Sequence, residues 1–223
     1  MTFSIIARCS ETGQFGAAIS SSSPAVASRC IRAKAGVGVA ASQNITDPQL
    51  ASILLEMAKY NISPKNAITE LTKNTDFIAY RQLSLLDTVN PPFAFSGRNT
   101  LGIYAQHIGT HVVCAGNLLD NDQVTRIMLE QFEQSTGTLA TRLLDALQAG
   151  ERAGGEAGDV HSAGLLVVDK LEWPIIDLRV DWSDQPIPEL IALWKIYEPQ
   201  VDDYVLRALD PTSAPSYGVP GNE

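Results

Sequence analysis

The chain has 223 residues, a formal net charge of −9 and 45% of its residues in the hydrophobic set, enough for one sizeable core. The acidic balance argues against non-specific binding to nucleic acid or to an anionic membrane. Ordinary glycine and proline levels argue against a collagenous or broadly disordered chain, and no apolar run is long enough to span a bilayer as a helix.

In chain order, TFSIIARC reads as a first strand and QFGAAISSSS as its partner, joined by a turn at SETG. Gly16, Ala17 and Ala18 leave little side chain on the second strand, so something is expected to pack very close to its backbone. AGVGVAAS is a third strand. From Asp47 the period becomes helical, with Leu50, Ile53, Leu54 and Met57 on one face and Asp47–Pro48 as N-cap and first position. Ser63–Pro64 repeats that signal for a second helix. FIAYRQLSLLD and PPFAFSG read as a hairpin, and LGIYAQHI and THVVCAG as further strands. Two more helices follow, one with Val124, Ile127, Met128 and Leu129 inward, the other with Leu139, Leu143, Leu144 and Leu147 inward. AGGEAGDV is a loop, HSAGLLVVD and WPIIDLRVD are strands, and PIPELIALWKIYEPQVDDYVLRAL is a helix or helix pair.

Helices that arrive in pairs between groups of strands do not suit a doubly wound sheet. They suit two antiparallel sheets with a helical layer on each outer side, in a single domain over residues 1–208 with an irregular tail over 209–223. Cys9, Cys30 and Cys114 are odd in number and widely spaced, with no CxxC pattern, and read as free thiols in a reducing compartment. No signal peptide is legible, so a cytoplasmic location is expected. Neither a cofactor nor a metal is expected: two carboxylates and one histidine in the glycine-rich loop do not define a metal site, and His107 and His111, four apart on a strand, lack the helical spacing of a zinc motif.

Several segments occur together in one order: TFSIIAR, GVGVAASQN, YRQLSLLD, FSG, AGNLL, RLLDALQAGERAGG, HSAGLLVV and DLRVD. With them the chain resembles the DUF1028 family of uncharacterised proteins over roughly Thr2 to Tyr197. The resemblance implies an α+β fold of the N-terminal-nucleophile (Ntn) hydrolase kind, a four-layer α-β-β-α sandwich of two antiparallel sheets. It also implies a Thr, Ser or Cys exposed at the mature N-terminus, attacking an amide while the terminal amine moves the proton. Thr2 stands at that position if Met1 is removed, and its small side chain permits that removal. A free Thr2 amine, with an ordinary pKa near 7.7–8.0, can serve as a base near neutral pH. The competing reading is a β-branched residue that starts a strand.

The remaining candidates each carry a structural alternative. Ser42, Gln43 and Asn44 end the third strand, where amide donors can hold a substrate carbonyl or oxyanion, or can shape the turn into the helix. The family usually has Thr where Ser42 stands. Arg81 and Gln82 lie in the YRQ motif, and Arg can grip a carboxylate with two parallel hydrogen bonds or remain solvated. Asn117 caps the following helix or presents its amide to a cavity. Glu156, Asp159 and His161 lie in and after the glycine loop and suit a cationic ligand, although the family more often reads GGDxRGxQSA here. Arg179 and Asp181 share a strand face and form an ion pair or line the pocket; Trp182 and Ser183 depart from the family's LRVDDH. Arg32 and Lys34 are looser candidates for a cation near the nucleophile.

Three functions compete. One is a hydrolase of a small amide or cyclic amide acting through Thr2. The second is a small-molecule-binding protein without the chemistry. The third is a structural homo-oligomer, a homodimer or larger, with Trp194 and Tyr197 covering another subunit or sealing the chain's own core.

Overall fold

The helix starts follow from local chemistry. Asp47 and Ser63 stand immediately before prolines, and each side chain accepts a backbone N–H of the first turn, from Gln49 and Asn66 respectively. Thr138 does the same for Thr141. In this computed structural model, residues 2–216 and 218 are described. The elements in order are β1 (Thr2–Arg8), β2 (Phe15–Ser21), α1 (Val26–Cys30), β3 (Ile31–Lys34), β4 (Gly38–Asn44), α2 (Pro48–Lys59) and α3 (Pro64–Asn74). Then come β5 (Arg81–Asp87), β6 (Phe93–Ser96), β7 (Ile103–Ile108), β8 (Val112–Leu119), α4 (Val124–Gln134) and α5 (Leu139–Arg152). The last are β9 (Ser162–Val168), β10 (Ile176–Val180), α6 (Pro186–Tyr197) and α7 (Val201–Leu209).

The strands form a six-stranded sheet in the order β10-β9-β2-β1-β8-β7 and a four-stranded sheet in the order β3-β4-β5-β6, with antiparallel neighbours throughout. Helices α2 and α3 cover the outer face of the small sheet through Leu50, Leu54 and Ile68 against Ala40, Leu83 and Leu85. Helices α4, α5 and α6 cover the large sheet through Met128, Leu143, Leu147 and Leu190 against Phe3, Ile5 and Leu165. The expected α+β arrangement, two antiparallel sheets flanked by helices, is therefore the observed one.

Alternation along the strands sorts the two faces of each sheet. Phe3, Ile5 and Ala7 of β1 face α4 and α5, while Ile6 faces the other sheet, where it meets Ile19, Val39, Ala41, Leu86 and Val113. The close approach expected at Gly16 is present: a Cβ there would lie 2.7 Å from Leu143 Cδ1 of α5 and 3.1 Å from the Leu166 carbonyl oxygen.

Two details differ from the sequence reading, and one alternative it left open is decided. The segment before AGVGVAAS contains α1 and β3, so the strand read as third is the second arm of a β3–β4 hairpin. FIAY does not belong to β5; Ile78–Tyr80 is a single 3₁₀ turn, held where the Tyr80 carbonyl accepts Ile45 N–H and Asn44 Nδ2. Trp194 is buried in the core under α6, and the half-buried Tyr197 packs on that core, so both seal this chain rather than offer a free face. The tail expected over 209–223 lies partly outside the described residues.

Candidate functional site

One end of the space between the sheets is polar. The same alternation that places Ile6, Ile19, Ala41, Leu86 and Val113 there also places Thr2, Ser4, Ser21, Gln43, Gln82 and Asn117, two or four residues further along their strands. Thr2, at the start of β1 and in the middle of the large sheet, pairs with Asn117 of β8. Its hydroxyl lies 3.4 Å from Ser21 Oγ of β2, and it is 4% exposed. Ser21 Oγ is 2.9 Å from Ser23 Oγ, which accepts from Arg29 at 2.9 Å.

Below Thr2 a chain of hydrogen bonds crosses between the sheets. Ser4 Oγ donates to Gln43 Oε1 at 2.7 Å, and Gln43 Nε2 donates to Gln82 Oε1 at 2.7 Å. Asn117 Nδ2 donates to the same Gln82 oxygen at 3.1 Å. Gln82 Nε2 donates to Ser96 Oγ and to the Gly116 carbonyl, each at 3.0 Å. Ser96 Oγ continues to Gln106 Oε1 at 2.9 Å. Asn117 Oδ1 is buried without a hydrogen-bond partner among the described residues, an open acceptor beside Thr2.

Glu156 closes this end. It is 5% exposed, its backbone bridges Leu119 at the end of β8, and both carboxylate oxygens lie 3.2 Å from the Ser22 N–H. Burial pushes its carboxyl up to about 7; the positive charge of the chain's amino terminus and then the Ser22 N–H oppose that rise. A cavity of about 220 Å³ adjoins it, lined by Phe3, Glu151, Glu156, Asp159, Val160 and Asp184 among others.

A four-layer frame with Thr2 at the mouth of a buried polar cluster can be set against known proteins. The sequence matches a family of unknown function, DUF1028, over residues 2–190. The chain belongs to the DUF1028 family. It is similar to the crystal structure of protein SPO2555 from Silicibacter pomeroyi, a DUF1028 protein, at 31% identity over 88% of each chain with a TM-score of 0.82. Much weaker likenesses are to Anbu from Hyphomicrobium sp. strain MC1 (a Gly-1 mutant; TM-score 0.47) and to Anbu, an ancestral β-subunit, from Yersinia bercovieri (TM-score 0.43). Each is 11% identical over 91% of this chain and 96% of its own, too distant to bear on function. No curated protein matches the chain.

Within this DUF1028 chain the residues singled out from the sequence separate into groups. Thr2, Gln43, Gln82, Asn117 and Glu156 come together at the polar end. Asn117 does not cap α4: it lies inside β8, and the residue before α4 is Gln123, which makes no side-chain cap. Ser42 faces α2 instead, donating to the Asp47 carbonyl at 2.8 Å, because it alternates with Gln43. Asn44 and Arg81 staple the chain around the 3₁₀ turn. Asn44, at φ +75, donates to the Tyr80 carbonyl and accepts the Leu101 N–H, and Arg81 donates to the Ile45 carbonyl. Asp159 is exposed on the rim of the small cavity. The His161 ring stacks on Trp182 at 4.4 Å and lies 3.5 Å from Asp184 Oδ1, while the His161 backbone N–H donates to the Ser21 carbonyl.

Arg179 and Asp181 do not pair. The carboxylate beside Arg179 is Asp177, at 3.9 Å, because Asp181 falls after the end of β10 and there accepts the Ala25 N–H on its carbonyl. Both Arg179 and Asp177 line a separate cavity with Arg32 and Ile31. Lys34 pairs with Glu56 at 2.6 Å on the surface, and Arg32 donates to the Ile31 carbonyl, so the two cations considered for the nucleophile are engaged elsewhere. The sequence reading missed Ser4, Ser21, Ser23 and Gln106. Ser4 is legible as two residues after Thr2 on one strand face, whereas Ser21 hides within a run of four serines.

Among the described residues, no group of three or more His, Cys, Asp or Glu side chains has metal-binding geometry, and no helix is long and apolar enough to cross a membrane.

Proposed function

We propose that this protein is a hydrolase of the N-terminal-nucleophile type, acting on an amide or cyclic amide of a small molecule, with Thr2 as nucleophile after removal of Met1. The observation that carries this reading is that Thr2 lies at a polar end of the space between the sheets, beside Ser21 and Asn117. In the proposed reaction the Thr2 α-amine takes the hydroxyl proton as Oγ1 bonds to the carbonyl carbon. The carbon–nitrogen bond breaks and the leaving nitrogen receives that proton. Water then hydrolyses the resulting ester and restores Thr2. The side-chain amides of Gln43 and Asn117, each with one N–H beyond its bond to Gln82, are the nearby groups suited to orienting a carbonyl.

A second reading is a binding protein that keeps the fold without the chemistry. The engagement of Lys34 with Glu56 and the near-complete burial of Thr2 favour it. One experiment separates them. A panel of small linear and cyclic amides is incubated with the wild type, Thr2→Ala and Thr2→Ser. The hydrolase reading expects turnover by the wild type, loss by Thr2→Ala of at least about 10⁴-fold, and measurable activity in Thr2→Ser. Equal turnover by wild type and Thr2→Ala would refute it. Saturable binding of a panel member without turnover by either protein would support the second reading.

A further inference from the structure

Strand β1 lies between β2 and β8, and Thr2 is its first residue. Thr2 pairs with Asn117 on one side and touches Ser21 on the other. One step further out, the space between the flanking strands is bounded by Ser22 and Leu118. The 155–157 segment spans that space. Its backbone clips to β8 and the residue after it, through Ala157 N–H to the Leu118 carbonyl at 3.0 Å and Asp120 N–H to the Gly155 carbonyl at 3.1 Å. Its Glu156 carboxylate reaches across to the Ser22 N–H beyond β2. Phe3, the neighbour of Thr2, packs against the same segment, with its Cε1 3.5 Å from where a Gly155 Cβ would stand. Leu118 adopts a left-handed backbone (φ +51), a conformation costly for leucine, as β8 passes this segment.

We propose that Glu156 is the positioning residue for the Thr2 α-amine: in a chain that starts at Thr2, the carboxylate faces the ammonium, orients it and raises its affinity for the proton. The value of this for catalysis rests on the reading of Thr2 as nucleophile; the pairing itself does not. Among the described residues no Lys, Arg or His side chain forms an ion pair with Glu156, and the positive charge that acts on this buried carboxyl is that of the chain's amino terminus. The other ionisable groups around it are Glu151 of α5, Asp159 on the same loop, Asp184 before α6, Asp120 after β8, and His161, which is engaged with Trp182 and Asp184. Arg29 of α1 is held on Ser23 Oγ. The surroundings are mainly acidic, which further favours a cation at the Thr2 nitrogen.

The test uses the full chain released from a cleavable N-terminal fusion that leaves Thr2 first, with intact mass as the check. The α-amine is converted to its ¹³C-dimethyl form and its resonance is titrated by NMR from about pH 5 to 10. The wild-type amine should titrate above the ordinary range, and Glu156→Gln should lower its pKa by about one unit, a tenfold change in proton affinity. Glu156→Asp, which keeps the charge, should retain part of the effect, and Asp159→Asn, on the same loop, should leave the titration nearly unmoved. Coincident curves for wild type and Glu156→Gln, or an equal shift in Asp159→Asn, would overturn the pairing. Glu156→Asp keeps the comparison open if the Gln variant does not fold. Amide cleavage with an unmoved titration would remove only this inference, whereas a shifted titration without amide cleavage would keep the pairing and remove the hydrolase reading.

Discussion

Gln82 is the hub on which the polar end depends. Its side-chain amide makes four hydrogen bonds, to Gln43, Asn117, Ser96 and Gly116, which is its full capacity as donor and acceptor. Gln82→Ala strands several buried partners at once, so it should destabilise the fold by roughly 2–4 kcal/mol, read as a shift in the urea midpoint. Glu156 makes a pH-dependent contribution of definite sign. Its carboxyl titrates at about 7 in the fold against 4.5 in the ordinary state, so the folded chain holds this proton more tightly. The stabilisation is complete below about pH 4.5 and is lost as pH rises through 7. Urea unfolding at pH 5 and pH 8 should therefore show a larger fall for the wild type than for Glu156→Gln. At this scale the sequence was informative only in part. Thr2, Gln43, Gln82 and Glu156 stood out by residue type and position, but Ser42 and Arg179 looked equally chemical and serve a turn and a different cavity. Which of two adjacent polar residues enters the site depends on strand phase, and phase is fixed by tertiary packing.

Helix boundaries were legible where chemistry is local. Asp47–Pro48 and Ser63–Pro64 begin α2 and α3 as expected, because an N-cap and a proline act within one turn. Asp47→Ala should cost about 1 kcal/mol in the same urea assay, since it frees the Gln49 N–H at the start of α2. Short elements were not legible. α1 and β3 together span only Val26–Lys34, too few residues for a periodic signal, and the FIAY segment turns because of contacts with residues far along the chain. Asn117 was ambiguous for a related reason: a helix does follow, but β8 continues through Leu119 before the chain leaves the sheet.

The layered architecture explains where stability and chemistry lie. Apolar clusters fill both helix–sheet layers and much of the space between the sheets, and a chain of polar contacts crosses between the sheets at the Thr2 end. α6 closes one outer layer through Ile187, Leu190 and Trp194, whereas α7 contains no fully buried residue. Trp194→Ala should thus cost about 3–5 kcal/mol, and removal of the chain from Val201 onward should cost clearly less, both read from thermal or urea unfolding. At the scale of the whole molecule, the polar end is built around Thr2 as the first residue of the mature chain. The most direct measurement is the intact mass of the purified full-length protein, combined with N-terminal sequencing. The expected chain begins at Thr2 with an unmodified α-amine; a chain that retains Met1, or begins at Thr2 with a blocked amine, rules out Thr2 as the nucleophile.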